Sequence, residues 1–274
     1  ALDKNQNVLF SNKSRGGTRA IERTTNFMNG ESNVVNADLT NALLNASPSA
    51  LKVSPFTTVT STLFAGLRNG RLLKITFANL GPFWSNITGP GFVGSISDIE
   101  FGQTEQEMFV TMHNYGVQSI WHTSNGGATW RSLEGNLPDI PVKCILQNPL
   151  IPNELIIGTD LGVWATADFT ATNPVWIPSF NGMSDVTVLD LDLRASDNTI
   201  LTSTYGRGLF TSTFTSTPLS VVENDMTMNQ ISVFPTVSNG KINIASKSSL
   251  GATKIEIYNV GGQKVFTKSV DLSS

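Results

Sequence analysis

The chain has 274 residues, a formal net charge of −3 and a single cysteine. Charged residues make up 14% of the sequence, below the average of about 25% for globular domains. This balance lacks the basic footprint of a nucleic-acid-binding protein, and no run of about 18 apolar residues predicts a membrane-spanning helix. The composition favours many short strands joined by polar turns over charged amphipathic helices.

Three tryptophans mark an internal repeat. Trp84, Trp130 and Trp176 recur at a spacing of about 46 residues, which is within the range of β-propeller blades. Each is followed by a turn that contains glycine and then by a strand of alternating apolar residues. Because a ligand platform would rarely recur in every unit, we predict that these tryptophans pack within the blades.

Residues 1–215 contain about five blade-like units, and the first is incomplete. Short alternating strands bounded by Gly, Pro, Asn and Asp are typical of antiparallel sheet. A parallel β-helix is the structural alternative, but its repeats are shorter and lack a hairpin ending in tryptophan. We therefore predict an all-β protein with a β-propeller, and we expect an N-terminal part to be missing because propellers close with about 4–8 blades.

One turn carries a recognisable pattern at five positions: Thr123, Asn125, Gly127, Thr129 and Trp130. An Asn side chain can bond backbone amides farther along the turn, and Gly supplies the positive φ that such a turn needs. The pattern resembles the Asp-box, S-x-D-x-G-x-T-W, of sialidase-type (BNR) repeats, with Asn at the usual Asp position. The resemblance implies a structural role for the turn.

Two further segments resemble sortilin-like and xyloglucanase-like propellers. They are residues 137–159, with Leu-Pro followed by a strand LIIGT, and residues 204–210, TYGRGLF. The second is similar to the strand that often ends the last blade in those families. This resemblance implies a fold but no activity, since one propeller fold hosts many functions.

The last part of the chain differs in composition. Residues 216–230 form a polar stretch that we interpret as a linker, and residues 231–274 contain short alternating strands. This segment resembles the type A C-terminal sorting domain of the type IX secretion system of the Bacteroidota, although Thr236 and Val237 replace two of its residues. We expect an incomplete, small Ig-like β-sandwich. The residues that match the sorting motifs are Pro235, Gly240, Ile257, Tyr258, Gly262 and Val265.

No catalytic constellation is apparent in the sequence. His113 and His122 are expected to be surface residues, and the spacing of zinc ligands is missing, so we predict neither a metal site nor a cofactor. Cys144 is expected to be a small buried side chain. Several acidic residues of the blades are expected to serve as hydrogen-bond acceptors rather than as catalytic groups: Asp98, Asp139, Asp160, Asp190 and Asp192.

These patterns predict a secreted or cell-surface protein of a Gram-negative bacterium. We expect a binding module for extracellular carbohydrate or protein that is recognised by the type IX translocon and its sorting machinery. An alternative is a polysaccharide-degrading glycoside hydrolase with its acids in unseen blades. Another is a structural spacer of a large adhesin. Whether the protein is an enzyme stays open, with a non-enzymatic role favoured.

Overall fold

The computed structural model describes residues 1–29, 33–179, 183, 185–216, 231–234, 243–246, 251–258 and 264–272. Nearly all regular structure in these ranges is β-strand, with one short 3-10 helix at Phe27–Asn29. The chain divides into two compact units, residues 1–219 and 220–274. The predicted domain boundaries stay predictions.

The first unit is built from five antiparallel sheets whose strands follow one another in chain order. Blade 1 contains β1 (Leu2–Asp3), β2 (Val8–Asn12), β3 (Ile21–Thr25) and β4 (Val35–Leu39). Blade 2 contains β5 (Pro48–Val53), β6 (Leu63–Leu67), β7 (Leu72–Thr76) and β8 (Phe83–Asn86). Blade 3 contains β9 (Ile96–Phe101), β10 (Met108–Met112), β11 (Ile120–Thr123) and β12 (Arg131–Ser132).

Blades 4 and 5 continue the pattern, and blade 5 has three strands. Blade 4 contains β13 (Val142–Gln147), β14 (Leu155–Thr159), β15 (Gly162–Thr166) and β16 (Ile177–Pro178). Blade 5 contains β17 (Val188–Arg194), β18 (Thr199–Thr204) and β19 (Gly208–Thr213). This arrangement confirms the all-β prediction and the predicted series of about five blades. The expectation that the first blade-like unit is incomplete was wrong, because blade 1 has four strands.

The core lies between consecutive blades. Four apolar clusters join blade 1 to 2, 2 to 3, 3 to 4 and 4 to 5. The first strands of blades 2 to 5 contact one another in sequence, β5 with β9, β9 with β13 and β13 with β17. Each sheet therefore buries apolar side chains on a face that meets its neighbour, as propeller blades do.

Each of these first strands carries a β-bulge near its start. The pairing register shifts between Pro48 and Ala50, and equivalent shifts occur in the next three blades. A bulge inserts one extra residue and re-aims nearby side chains. The residues directly after the shift occupy one equivalent position, the post-bulge position: Ala50, Asp98, Cys144 and Asp190.

The second unit shows two antiparallel pairs within its described residues. β20 (Ile231–Phe234) pairs with β21 (Asn243–Ser246), and β22 (Gly251–Tyr258) pairs with β23 (Lys264–Leu272). The predicted β-sandwich of this unit stays a prediction. Among the sorting-motif residues, Ile257 and Val265 are exposed at 38% and 58%, and Tyr258 ends β22. Three others, Pro235, Gly240 and Gly262, lie outside the described residues.

Candidate ligand-binding face

Blades 3 and 4 bring four polar side chains together at one end of the sheets. Since strands alternate in direction, the β10–β11 hairpin, the β14–β15 hairpin and the start of β13 lie at the same end. We call the four residues there the blade-top cluster: His113, Tyr115, Lys143 and Asp160. The Lys143 Nζ lies 3.0 Å from Asp160 Oδ1, and Tyr115 Oη donates to Asp160 Oδ2 at 3.4 Å.

Local structure fixes these side chains. Lys143 is the extra residue of the β13 bulge, and its side chain is only 15% exposed beside the carboxylate. The hairpin that carries Tyr115 is held in place by a hydrogen bond that Gly116 N donates to Asp139 Oδ1 at 2.6 Å. Partial burial lowers the pKa of His113, with a further lowering from Lys143 and an opposing effect of Asp160. The cluster thus presents a mostly neutral imidazole next to a charged pair.

The Tyr115 ring supplies a flat apolar surface beside these polar groups. The residue is 63% exposed, although its hydroxyl reaches Asp160. An aromatic ring with a polar tip suits a ligand that is apolar on one face and hydrogen-bonding at its edge. The cluster was not predicted from the sequence, because its members are distant along the chain. The available signal was the occurrence of Tyr115 and Asp160 in corresponding hairpins.

A second polar group lies on the first strands of the blades. Asp98 Oδ1 accepts the amide of Ile99 at 2.8 Å, and Oδ2 accepts the amide of Ile145 at 3.1 Å, so this carboxylate joins blade 3 to blade 4. Burial raises the pKa of Asp98 to about 6. Beside it, Lys52 Nζ contacts Glu100 Oε2 at 2.6 Å and links blade 2 to blade 3.

The other predicted hydrogen-bonding acids also contact main chain or Lys143. Asp190 Oδ1 accepts the amide of Leu191 at 3.0 Å, and Asp192 Oδ1 accepts the amide of Leu193 at 2.9 Å. Burial raises the pKa of Asp190. The absence of a catalytic acid among them stays a prediction.

The Asp-box-like turn is closed by side-chain hydrogen bonds. Asn125 Oδ1 accepts from Thr123 Oγ1 and from the Thr129 amide, both at 2.9 Å. Asn125 Nδ2 donates to Thr129 Oγ1 at 2.8 Å. Gly127 has a φ of 92°, and its amide donates to Thr123 Oγ1 at 3.0 Å. These contacts provide a physical reason for Thr123, Asn125, Gly127 and Thr129 of the motif.

The tryptophans at the end of this repeat differ in burial. Trp176 is 1% exposed and donates its indole N–H to Leu133 O at 2.8 Å. Trp130 is partly buried and donates to Ile87 O at 2.9 Å. In both cases the acceptor lies three residues after the tryptophan of the preceding blade. Trp84 packs, partly buried, against the cluster between blades 1 and 2.

The prediction for one histidine was wrong. The side chain of His122 is only 12% exposed because it stacks on Phe109, with ring centroids 5.0 Å apart, and also contacts Phe169. Burial lowers the pKa of His122, and Glu107 opposes this effect from 3.4 Å. His113 is exposed as expected. Cys144 is buried, also as expected, and burial raises the pKa of its thiol.

No three His, Cys, Asp or Glu side chains are grouped to hold a metal ion within the described part of the chain. The helical structure found there is too short to cross a membrane.

The C-terminal region matches a known family. Residues 232–274 match the model of the secretion system C-terminal sorting domain. This chain is secreted cargo. The match confirms the predicted sorting segment of the type IX system and places the protein at the cell surface or in the medium of a member of the Bacteroidota. No curated protein matches the sequence significantly.

Solved structures show what the first unit is similar to. The GH74 xyloglucanase of Xanthomonas campestris has a TM-score of 0.52 and 14% identity over 78% of this chain and 37% of its own. A GH74 enzyme of Niastella koreensis has a TM-score of 0.52 and 19% identity over 75% of this chain and 34% of its own. The propeller domain of Cps50 (Swd1) from Myceliophteria thermophila has a TM-score of 0.52 and 9% identity, over 75% of this chain and 65% of its own.

These similarities show the β-propeller fold. The chain spans 37% of the length of the Xanthomonas enzyme, so an activity of that whole protein is not transferred by the likeness.

Proposed function

We propose that the secreted propeller is an extracellular carbohydrate-binding module and that the blade-top cluster contacts the glycan. The observation that carries the proposal is the exposed Tyr115 ring next to the Lys143–Asp160 pair. A sugar ring presents C–H groups on its faces and hydroxyls at its rim. An aromatic plane flanked by a donor and an acceptor matches both.

The charges of the cluster favour a neutral glycan. Lys143 and Asp160 neutralise each other at 3.0 Å, and the pKa of His113 is lowered, so the site carries little net charge near neutral pH. Hydrogen bonds to charged groups are stronger than those between neutral groups, which suits recognition of hydroxyls in water. An anionic polysaccharide would instead need uncompensated cations.

A glycan array followed by titration calorimetry tests this function. The array identifies a ligand for the parent protein, and Tyr115→Ala and Asp160→Asn are then titrated with it. We expect each variant to bind at least about tenfold more weakly, which corresponds to about 1.4 kcal/mol. Phe83→Ala is the matched control. Phe83 is also exposed, at 69%, but it lies in blade 2 at the end of the sheets opposite to the blade-top cluster.

Two outcomes would contradict the proposal. One is that no glycan binds the folded parent protein. The other is that Tyr115→Ala and Asp160→Asn bind a glycan as tightly as the Phe83→Ala control does.

A second candidate function is that of a polysaccharide hydrolase. It is favoured by the structural likeness to two GH74 enzymes. Reducing-end release from the glycan found on the array would support it, and Asp98→Asn and Asp160→Asn would then separate catalysis from binding. A loss of about 10³-fold in kcat with KM unchanged at one of them would identify a catalytic group.

A further inference from the structure

The indole of Trp176 packs in a site that two consecutive blades build between them. The ring shares an apolar cluster with residues of both blades, and its N–H donates to Leu133 O at 2.8 Å. Five positions of this cluster define what we call the indole site: Phe109, Ile120 and Leu133 of blade 3, and Leu155 and Ile157 of blade 4.

The boundary between blades 4 and 5 repeats these five positions. Strand pairing relative to the post-bulge positions, and the spacing from the tryptophan of the same blade, give the counterparts: Ile156, Val163 and Ser179 of blade 4, and Ile200 and Thr202 of blade 5. All five line one cavity of about 120 Å³. The cavity therefore lies where the boundary between blades 3 and 4 holds an indole.

The chain does not place a tryptophan in this cavity. The tryptophans of the repeat lie at the fourth strand of a blade, and blade 5 has three strands among the described residues. About 46 residues after Trp176 the sequence has Val222, and residues 216–230 contain no aromatic residue. The segment that follows blade 5 thus offers no ring for the counterpart of the indole site.

The hydrogen-bond acceptor of the indole site is present in the cavity as well. Leu133 O and Ile87 O each lie three residues after a tryptophan and accept the indole N–H of the next blade at 2.8 and 2.9 Å. Ser179 lies three residues after Trp176, and its amide donates to Val163 O at 2.8 Å. The Leu133 amide makes the same bond to the third strand of blade 3, so the two carbonyl groups are placed alike. Among the described residues none donates to Ser179 O.

A carboxylate gives this cavity a preference among aromatic ligands. Glu154 and Asn148, each 1% exposed, line the cavity together with the apolar side chains of both blades. Asn148 Nδ2 donates to Glu154 Oε2 at 2.8 Å and holds the carboxylate in place. An aromatic molecule that carries a negative charge would be repelled at short range in this buried setting.

We propose that the cavity between blades 4 and 5 binds a small, uncharged aromatic molecule with a ring N–H, of the indole class, which donates to Ser179 O. An apolar cavity of about 150 Å³ lined by Leu, Ile and Phe binds benzene, and this cavity is of similar size and open at the surface. Apolar walls with a few placed polar groups are typical of small-molecule sites. No member of the blade-top cluster lines the cavity, so the proposal does not depend on carbohydrate binding.

Titration calorimetry of the secreted protein with three probes tests the proposal. Indole carries the ring N–H, benzofuran has the same shape without it, and indole-3-acetate adds a carboxylate. We expect indole to bind at least about tenfold more tightly than either of the other two probes, because benzofuran leaves Ser179 O without a donor and indole-3-acetate meets Glu154.

A pair of substitutions locates the site. Ala165 lines the cavity and is 3% exposed, so Ala165→Leu fills part of the space and should weaken indole binding at least about tenfold. Ala167→Leu, at an exposed position two residues farther along, is the matched control and should bind as the parent protein does. Thermal melts show whether both variants are folded. Tyr115→Ala should also leave indole binding unchanged, which separates this site from the proposed glycan site.

Three results would overturn the proposal. The first is that the folded parent protein does not bind indole. The second is that benzofuran binds as tightly as indole, a comparison that needs no variant and decides the matter even if Ala165→Leu does not fold. The third is that folded Ala165→Leu binds indole as tightly as Ala167→Leu does.

Discussion

The tryptophan positions of blades 4 and 2 are equivalent in the repeat but differ in their surroundings. Trp176 is almost completely buried and bonds Leu133 O across the blade boundary. Trp84 is partly exposed and packs against the cluster between blades 1 and 2. The blade that precedes each tryptophan supplies the difference. Blade 3 ends in the turn of residues 133–141, which covers Trp176, whereas blade 1 has no tryptophan-containing turn to pack against.

This difference shows that a sequence repeat fixes the position of a residue but not how much its side chain contributes to the free energy of unfolding. The equal spacing of the three tryptophans led to the expectation of one common role. Burial sets the contribution of an aromatic side chain, however, and burial depends on the neighbouring blade.

Replacement of the most buried member gives the largest expected effect. Trp176→Ala removes a fully buried indole and its hydrogen bond, and we expect a loss of about 3–5 kcal/mol in the free energy of unfolding. Urea denaturation followed by circular dichroism measures it. The neighbouring Val175→Ala is the control and should change stability by less than about 0.5 kcal/mol, since Val175 is exposed.

The boundary between blades 4 and 5 offers a test of tight packing without an aromatic residue. A Cβ added to Gly158 would lie 2.5 Å from both Cys144 Sγ and Val188 Cγ1. We expect Gly158→Ala to lose about 1–3 kcal/mol by overpacking. Gly81→Ala is the matched control, because nothing lies within 4 Å of its added Cβ. Equal denaturation midpoints for the two variants would show that this boundary is loosely packed.

The Asp-box-like turn should contribute less than either packing site. Asn125→Ala removes an oxygen that accepts two hydrogen bonds and an amide nitrogen that donates one. We expect the free energy of unfolding to fall by about 1–2 kcal/mol. Asn125→Asp keeps the acceptor oxygen and should recover most of the loss in the same denaturation experiment. A turn that tolerates Ala as well as Asp would leave the motif without a structural role.

The smallest effect concerns pH. The pKa of Asp98 is raised to about 6 in the folded protein, so folding favours its protonated form. This contribution is complete below pH 4 and is lost as the pH rises through about 6, which makes the parent protein about 1 kcal/mol less stable at pH 7 than at pH 5 from this group alone. Asp98→Asn should flatten that dependence in paired melts. If stability changes with pH as steeply in Asp98→Asn as in the parent protein, other titratable groups cause the pH dependence.

The strand pattern and the repeat were predictable because both depend on local sequence. Alternation and turn residues indicated the blades, and the alternating apolar segments predicted after the three tryptophans coincide with the first strands β9, β13 and β17. The β-bulges were not predictable, because the extra residue follows from pairing between strands. The blade-top cluster was also missed: Tyr115 and Asp160 meet only after two blades pack together.

Burial of polar residues was the other point at which local reasoning failed. His122 lies in a polar-looking segment, but it stacks on Phe109 of the paired strand, and Phe169 from blade 4 contacts both rings. Cys144 was predicted correctly because apolar residues flank it on its own strand. A single sequence therefore indicates the strand and its alternation more reliably than the contacts that a neighbouring blade adds.

One denaturation series of Trp84→Ala, Trp130→Ala and Trp176→Ala beside the parent protein tests directly whether these residues pack the blades. We expect all three substitutions to lower the denaturation midpoint, with Trp176→Ala the most damaging, Trp130→Ala intermediate and Trp84→Ala the least. Three variants that unfold together with the parent protein would contradict the claim that these residues pack the blades. Equal losses of stability at all three positions would contradict the claim that the neighbouring blade determines how much each tryptophan contributes to stability.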